Sequence, residues 1–289
     1  MKVIRQLTLL SPLLVITLFS PQYFVLAQPA AAADPVSVLH APGDGESGKT
    51  HGTPVGIFDG QSDIGGAPVP GSATYDSAAQ EYSINSAGSN AAYTRDDFHY
   101  LWKKMSGDVS LTADIAFPDP TGNNERKAML VIRQSLDDDS KEAVVAVYGS
   151  GVFKLGQRPG KGVALREMQY RVWSKASAGG APGSMAIAMP KRVSLQKHGD
   201  VFVLYVSIDG EPMHPFGTSL SLHIDEPFYV GIAFTSDLPD KSDTAAFSNV
   251  AVEDPTKPAA HRAASEPPTP LPTPGHPVDV ILAIPSSNP

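Results

Sequence analysis

The feature that most limits what this chain can fold into is strict two-residue alternation. In "VSLTADIAF" (109–117), Val109, Leu111, Ala113, Ile115 and Phe117 point one way, and Ser110, Thr112 and Asp114 the other. A strand with one dry and one wet face has this period; a helix does not. The pattern recurs in "KRVSLQKHGDVFVLYVSIDGEPM". Gly199-Asp200 turns the chain there, and Phe202, Leu204, Val206 and Ile208 then alternate against Val203, Tyr205 and Ser207. Asp209-Gly210 is a second turn of the kind that needs positive φ.

Other segments are apolar on both faces. "KAMLVIRQS" sets Met129, Val131 and Arg133 against Leu130, Ile132 and Gln134, and "EAVVAVYGSG" and "GVFKLGQR" follow as two strands joined through Gly149 and Gly151. With "SLSLHI", "FYVGIAFTS" and "AAFSNVAVE", some ten to twelve strands are expected, with no amphipathic helix of useful length. That inventory predicts an all-β fold of two antiparallel sheets packed face to face.

Composition divides the chain further. Lys2 and Arg5, an apolar run from Leu7 to Phe19 broken by Pro12, and Val25-Leu26-Ala27 match a secretory signal peptide over 1–27. Cleavage is expected after Ala27 or Ala33, with an uncleaved anchor as the rival reading; after cleavage no membrane span is expected. Residues 28–54 form a flexible leader, 55–253 the β-sandwich domain and 254–289 a Pro-rich tail, extended because its prolines leave few ladder donors. The tail's apolar end, "VDVILAIPSSNP", either docks on a sheet edge or is simply an end. With no cysteine, stability must come from a core, for which about two hundred residues suffice. A net charge of -8 argues against coating nucleic acid or anionic membrane.

Several blocks in order, "FDGQSDIGGAPVPGSATYDSAAQEYSINSAGSN", "DDFHYLWKKMSGDVSLTADI", "RKAMLVIRQSLDDDS", "FYVGIAFTS" and "AAFSNV", resemble the concanavalin A-like jelly-roll domains of the DUF1349 type. The resemblance covers about residues 56–253 and implies a concanavalin A-like jelly-roll sandwich in a secreted or periplasmic protein. The TolB-like propeller sometimes found beside such domains is absent from this sequence. Because that fold hosts lectins, binding modules and glycoside hydrolases alike, it does not choose a function.

Candidate site residues come from "YTRDDFHYLWKK" and the strand behind it. Sugars bind where a flat ring meets their C–H face and polar groups fix the hydroxyls, a mixture offered by Trp102 with Arg95, His99, Lys103, Arg133 and Gln134. An aromatic at this spacing is more often a core residue, and Trp102 has that reading beside ligand contact. Arg133 interrupts a greasy strand, so it needs either a partner such as Glu142 or Asp114, or a ligand.

Glycoside hydrolysis needs two facing carboxylates, and no single strand supplies them, so no catalytic residue is nominated; Glu125, Glu142 and Glu167 would have to converge across strands. No cofactor is expected beyond a structural calcium, for which Asp59, Asp63, Asp119 and the Asp137, Asp138, Asp139 run are the candidate ligands; the last three read as a solvated turn otherwise. The eight histidines lack zinc spacing. "GQRPGKGVALREMQYRVWSK" reads as a long basic hairpin, with Arg158, Lys161, Arg166, Arg171 and Lys175 forming a positive lip, for solubility or for attracting acidic glycans or a partner.

The leading expectation is thus a secreted or periplasmic module that binds a carbohydrate or envelope glycan without covalent chemistry. A glycoside hydrolase or lyase is the first alternative. An extracytoplasmic protein-interaction domain using its loops or Pro-rich tail is the second.

Overall fold

In a computed structural model, the described residues are 50–51, 53–175, 177, 179, 185–256 and 284–285, the backbone alone at 50–51 and 284–285. The chain divides into two units, 1–44 and 45–289, and the second is described below. The predicted signal peptide (1–27), most of the leader (28–54) and most of the Pro-rich tail (254–289) lie outside the described residues.

The fold is all-β, with no helix among the described residues. The expected all-β sandwich of two antiparallel sheets is the observed one. The larger sheet runs, in spatial order, β1 (Thr50–His51), β2 (Gly60–Ile64), β6 (Arg95–Met105), β18 (Phe228–Thr235), β8 (Lys127–Arg133), β9 (Glu142–Tyr148), β10 (Phe153–Arg158), β11 (Arg166–Tyr170) and β20 (Ile284–Pro285), with β5 (Asn90–Ala92) hairpinned onto β6. The second sheet runs β16 (His214–Pro215), β15 (Val201–Ser207), β14 (Arg192–His198), β7 (Val109–Ala116), β19 (Leu238–Glu253), β4 (Glu81–Gly88) and β3 (Ser72–Asp76), with β17 (Leu220–Ser221) also on β15. A two-stranded ribbon, β12 (Val172–Ser174) with β13 (Ala186–Ala188), continues the chain beyond β11. The strands outnumber the ten to twelve expected because pieces of two or three residues at the edges are too short to show a period.

Alternation sets the main core. Val109, Leu111, Ala113 and Ile115 of β7 meet Leu130, Ile132, Val145, Val147, Val230 and Ile232 of the larger sheet, all buried. β8, β9 and β18 are buried along their whole length, because their other face is covered as well. On that outer face Phe98, Tyr100, Met129, Val131, Val144 and Ala146 form a second core under Ala91, Leu136 and Leu165. Three connections supply the cover: the β5–β6 turn, residues 134–141 and residues 159–165. Backbone bonds tie them together, from Asp96 to Asp138 (2.8 Å), Gly162 to Asp139 (2.8 Å) and Leu165 to Tyr93 (2.7 Å).

Candidate functional site

The outer face of the larger sheet has two ends, one sealed and one open. At the sealed end the register aligns Arg158, Glu142, Arg133 and Tyr229 on adjacent strands. Arg158 grips Asp96 with both terminal nitrogens (Nη1–Oδ2 2.7 Å, Nη2–Oδ1 2.6 Å) and donates to Glu142 Oε1 at 2.9 Å. Arg133 donates to Asp96 Oδ2 at 3.2 Å and stands 3.8 Å from Glu142 Oε2. All four side chains are 0–2% exposed. The guanidiniums also hold the covering loop, Arg133 through Asp137 O (2.6 Å) and Arg158 through Ser140 O (3.0 Å). Burial, and then the charge of Asp96, push the Glu142 carboxyl up to about 8 against the pull of both arginines.

Of the two readings open for Arg133, the structure shows the architectural one, with Glu142 as the partner named in advance and Asp96 as a second. The Asp137 to Asp139 run, read as a solvated turn, is instead the middle of the cover. Its three successive carbonyls accept from Arg133, Asp96 and Gly162.

The other predicted site residues do not gather around Arg133. Trp102 is on the same face but part-buried, lying over Gly60, where a Cβ would come within 2.7 Å of the indole. Its Nε1 donates to Ser62 at 3.0 Å, and its ring meets Tyr229 edge-on at 5.2 Å. His99 points to the opposite face and is wholly buried between Asp63 (2.7 Å) and Gln61 (2.9 Å). Lys103 shares that opposite face, its ammonium near Ile57 O at 3.4 Å. Arg95 is on the rim, exposed and paired with Asp138 at 2.8 Å, and Gln134 clasps the backbone of Asp225. The six share no single groove.

The aspartates nominated for calcium are occupied by protein partners: Asp59 by the Lys104 amide, Asp63 by His99, Asp119 by Thr121 and Asp137 by Lys161. Among the described residues no three His, Asp or Glu side chains stand together as a metal cage.

At the open end lies a cleft of about 230 Å³ lined by Asn124, Glu125, Tyr148, Ser150, Val152, Lys154, Gln169, Arg171 and Ile187. Roughly 300–1,000 Å³ encloses a drug-sized ligand, so this cleft fits one small polar ring. Tyr148 is 3% exposed, with the ammonium groups of Lys127 and Lys154 over its ring at 5.1 and 4.9 Å. Those cations are themselves paired, Lys127 with Asp237 (2.6 Å) and Lys154 with Glu167 (2.9 Å). The Tyr148 hydroxyl has no hydrogen-bond partner among the described residues, and burial, then Glu167, Glu125 and Asp237, raise its pKa. It therefore stays protonated and able to donate a hydrogen bond. The side chains of Asn124, Glu125, Ser150, Gln169 and Arg171 are likewise without side-chain partners among the described residues.

One wall of the cleft is the ribbon. Ile187 lines it, and its cross-strand partner is Trp173, which is 40% exposed. Directly paired residues share a face, which puts Trp173 on the same side of the ribbon as Ile187, outside the set of residues that line the cleft. Sequence reading passed over this site although a signal was present: in "QYRVWSK", Gln169, Arg171, Trp173 and Lys175 alternate against Tyr170, Val172 and Ser174, and only the second set is buried. Of the predicted positive lip, Arg158 is sealed in the cluster and Lys161 is paired with Asp137, while Arg166, Arg171 and Lys175 are exposed.

No family model matches the chain, and neither does any curated protein. Among solved structures it is similar to a functionally unknown protein from Saccharomyces cerevisiae (12% identity, 64% of this chain and 93% of that one, TM-score 0.43) and to the alginate lyase from Klebsiella pneumoniae (12%, 64% and 84%, TM-score 0.39). It is also similar to lectin I-B4 from Griffonia simplicifolia in its metal-free form (10%, 71% and 91%, TM-score 0.30).

Proposed function

We propose that this chain is an exported, non-catalytic module that binds a carbohydrate or envelope glycan in the Tyr148 cleft, with Trp173 as the stacking surface. The observation that carries the reading is the pairing of unmatched polar groups with an exposed indole. Tyr148, Asn124, Ser150, Gln169, Glu125 and Arg171 offer both donors and acceptors, which suits a ring bearing vicinal hydroxyls, while Trp173 and Ile187 offer the apolar side for its C–H face. The Tyr148 hydroxyl, without a protein partner among the described residues, is free to bond a ligand in the cleft. The likeness of the sequence blocks to DUF1349-type domains belongs to the same proposal, as does export, which is supported by the basic and then apolar start of the chain.

A glycan array with the full chain tests the reading. Binding that falls about tenfold or more in Trp173→Ala, and persists in Trp102→Phe, supports it; an array with no bound glycan overturns it. The glycan-cleaving alternative keeps one specific support. Glu125 and Glu167 both bear on Tyr148, whereas Glu142 is sealed elsewhere. Release of reducing ends that vanishes in Glu125→Gln or Glu167→Gln would establish it.

A further inference from the structure

From Gln169 to Lys175 burial alternates residue by residue, across the junction at Arg171 between β11 and β12 and into the turn at Lys175. Tyr170 and Val172 enter the main core and Ser174 is buried, so Gln169, Arg171, Trp173 and Lys175 face outward together. Arg171 and Lys175 form no ion pair among the described residues. Their neighbours differ, for Lys154, Lys127 and Lys161 are each held by a carboxylate. In a chain with 30 acidic and 22 basic side chains, two unpaired cations flanking an exposed indole are a local reversal of the overall charge.

We propose that the ligand of the cleft is an anionic glycan, bearing carboxylate or sulfate groups, whose ring stacks on Trp173 and whose charges meet Arg171 and Lys175. This rests on the reading of the cleft as a glycan site. Arg171 and Lys175 immediately flank the three-residue strand that carries Trp173, so a ring on the indole has a cation on either side of it in the chain. The Arg171 guanidinium can accept a carboxylate or sulfate edge with two parallel hydrogen bonds, while the Lys175 ammonium acts as a point charge. Lys154 lines the cleft already paired with Glu167, and Glu125 lines it too, so the positive charge without a carboxylate partner among the described residues is that of Arg171 and Lys175. The floor, with the Tyr148 hydroxyl, is left for neutral hydroxyls.

The test measures binding of the full chain by calorimetry to three probes: an oligogalacturonate, the same oligosaccharide with its carboxyls reduced to hydroxymethyl groups, and dextran sulfate. We expect the reduced form to bind about tenfold more weakly than at least one anionic probe, and that preference to shrink with added salt. The two anionic arms tell carboxylate from sulfate. Arg171→Gln with Lys175→Gln should abolish the preference, whereas Arg166→Gln, an exposed cation on the other face of the strand, should leave it intact. Equal binding of reduced and anionic forms overturns the anionic class, and a preference untouched in the double variant overturns its assignment to Arg171 and Lys175; either result leaves the glycan site standing. No binding to these probes, with neutral glycans bound on an array, also overturns the anionic class alone; no binding to any glycan overturns both.

Discussion

The two ends of the outer face carry similar side chains and treat them oppositely. At the sealed end two arginines and two carboxylates pair with one another and hold down the covering loop, although Arg133 Nε and Nη1, Arg158 Nε and Glu142 Oε2 are left without hydrogen-bond partners among the described residues; at the open end a phenol, two amides, a hydroxyl, a carboxylate and a guanidinium have no side-chain partners among the described residues. A charge in a greasy strand therefore does not by itself mark a binding site. What marks it is unused polar capacity that a ligand can reach, next to an exposed ring.

The largest effect expected from breaking this contrast comes at the sealed end. Asp96→Ala or Arg158→Met strands a buried charge, and urea unfolding should register a loss of about 3–5 kcal/mol. Trp173→Ala, at the open end, should cost about 0.5 kcal/mol or less. Comparable losses at the two ends would mean that the cleft is as architectural as the cluster.

The period-two signal made most of this fold legible. The faces assigned to "VSLTADIAF", "KAMLVIRQS" and "VFVLYVSI" are the observed ones, because alternation reports burial locally. The candidate site was far less legible. Arg133 was identifiable as a charge needing a partner, and Glu142 was named, but Asp96 and Arg158 approach from 37 residues before it and 25 after it through pairings no local pattern encodes. His99 and Trp102 are three residues apart on one strand, so they lie on opposite faces and cannot share a groove. Trp173 was accessible to the same alternation test, yet its segment reads first as a basic hairpin.

The cluster also predicts a pH dependence. The Glu142 carboxyl titrates near 4.5 when unfolded and near 8 when folded, facing Asp96, Arg133 and Arg158. A carboxyl raised in this way contributes stability that is fully present below pH 4.5 and lost as pH climbs through 8. Between pH 5 and 8.5 Tm should fall by about 5 °C or more, and Glu142→Gln, which cannot ionise, should flatten the slope. An identical slope in the variant would remove Glu142 as its source.

The two tryptophans sharpen the contrast optically. Trp102 is held by Ser62, Gly60 and Tyr229, and Trp173 is open to water. Acrylamide should quench Trp173 several-fold more efficiently, and a bound glycan should protect it. The ligand-induced fluorescence change should persist in Trp102→Phe and vanish in Trp173→Phe. The reverse pattern would move the binding surface to the sequence-predicted residue.

The smallest effect is expected at Arg95, which sits directly above the cluster as part of the cover. Its side chain is 72% exposed, and its one ion pair, with Asp138, is open to solvent on both sides. Water screens such a pair, and holding two long side chains together offsets much of what remains, so Arg95→Ala should change stability by about 0.5 kcal/mol or less. The glycan affinity should not change at all, because Arg95 lies at the sealed end while the unpaired cations Arg171 and Lys175 lie on the ribbon beside the open one. A tenfold loss of binding in Arg95→Ala would show that the cover itself meets the ligand, and the division of this face into an architectural end and a binding end would then be wrong.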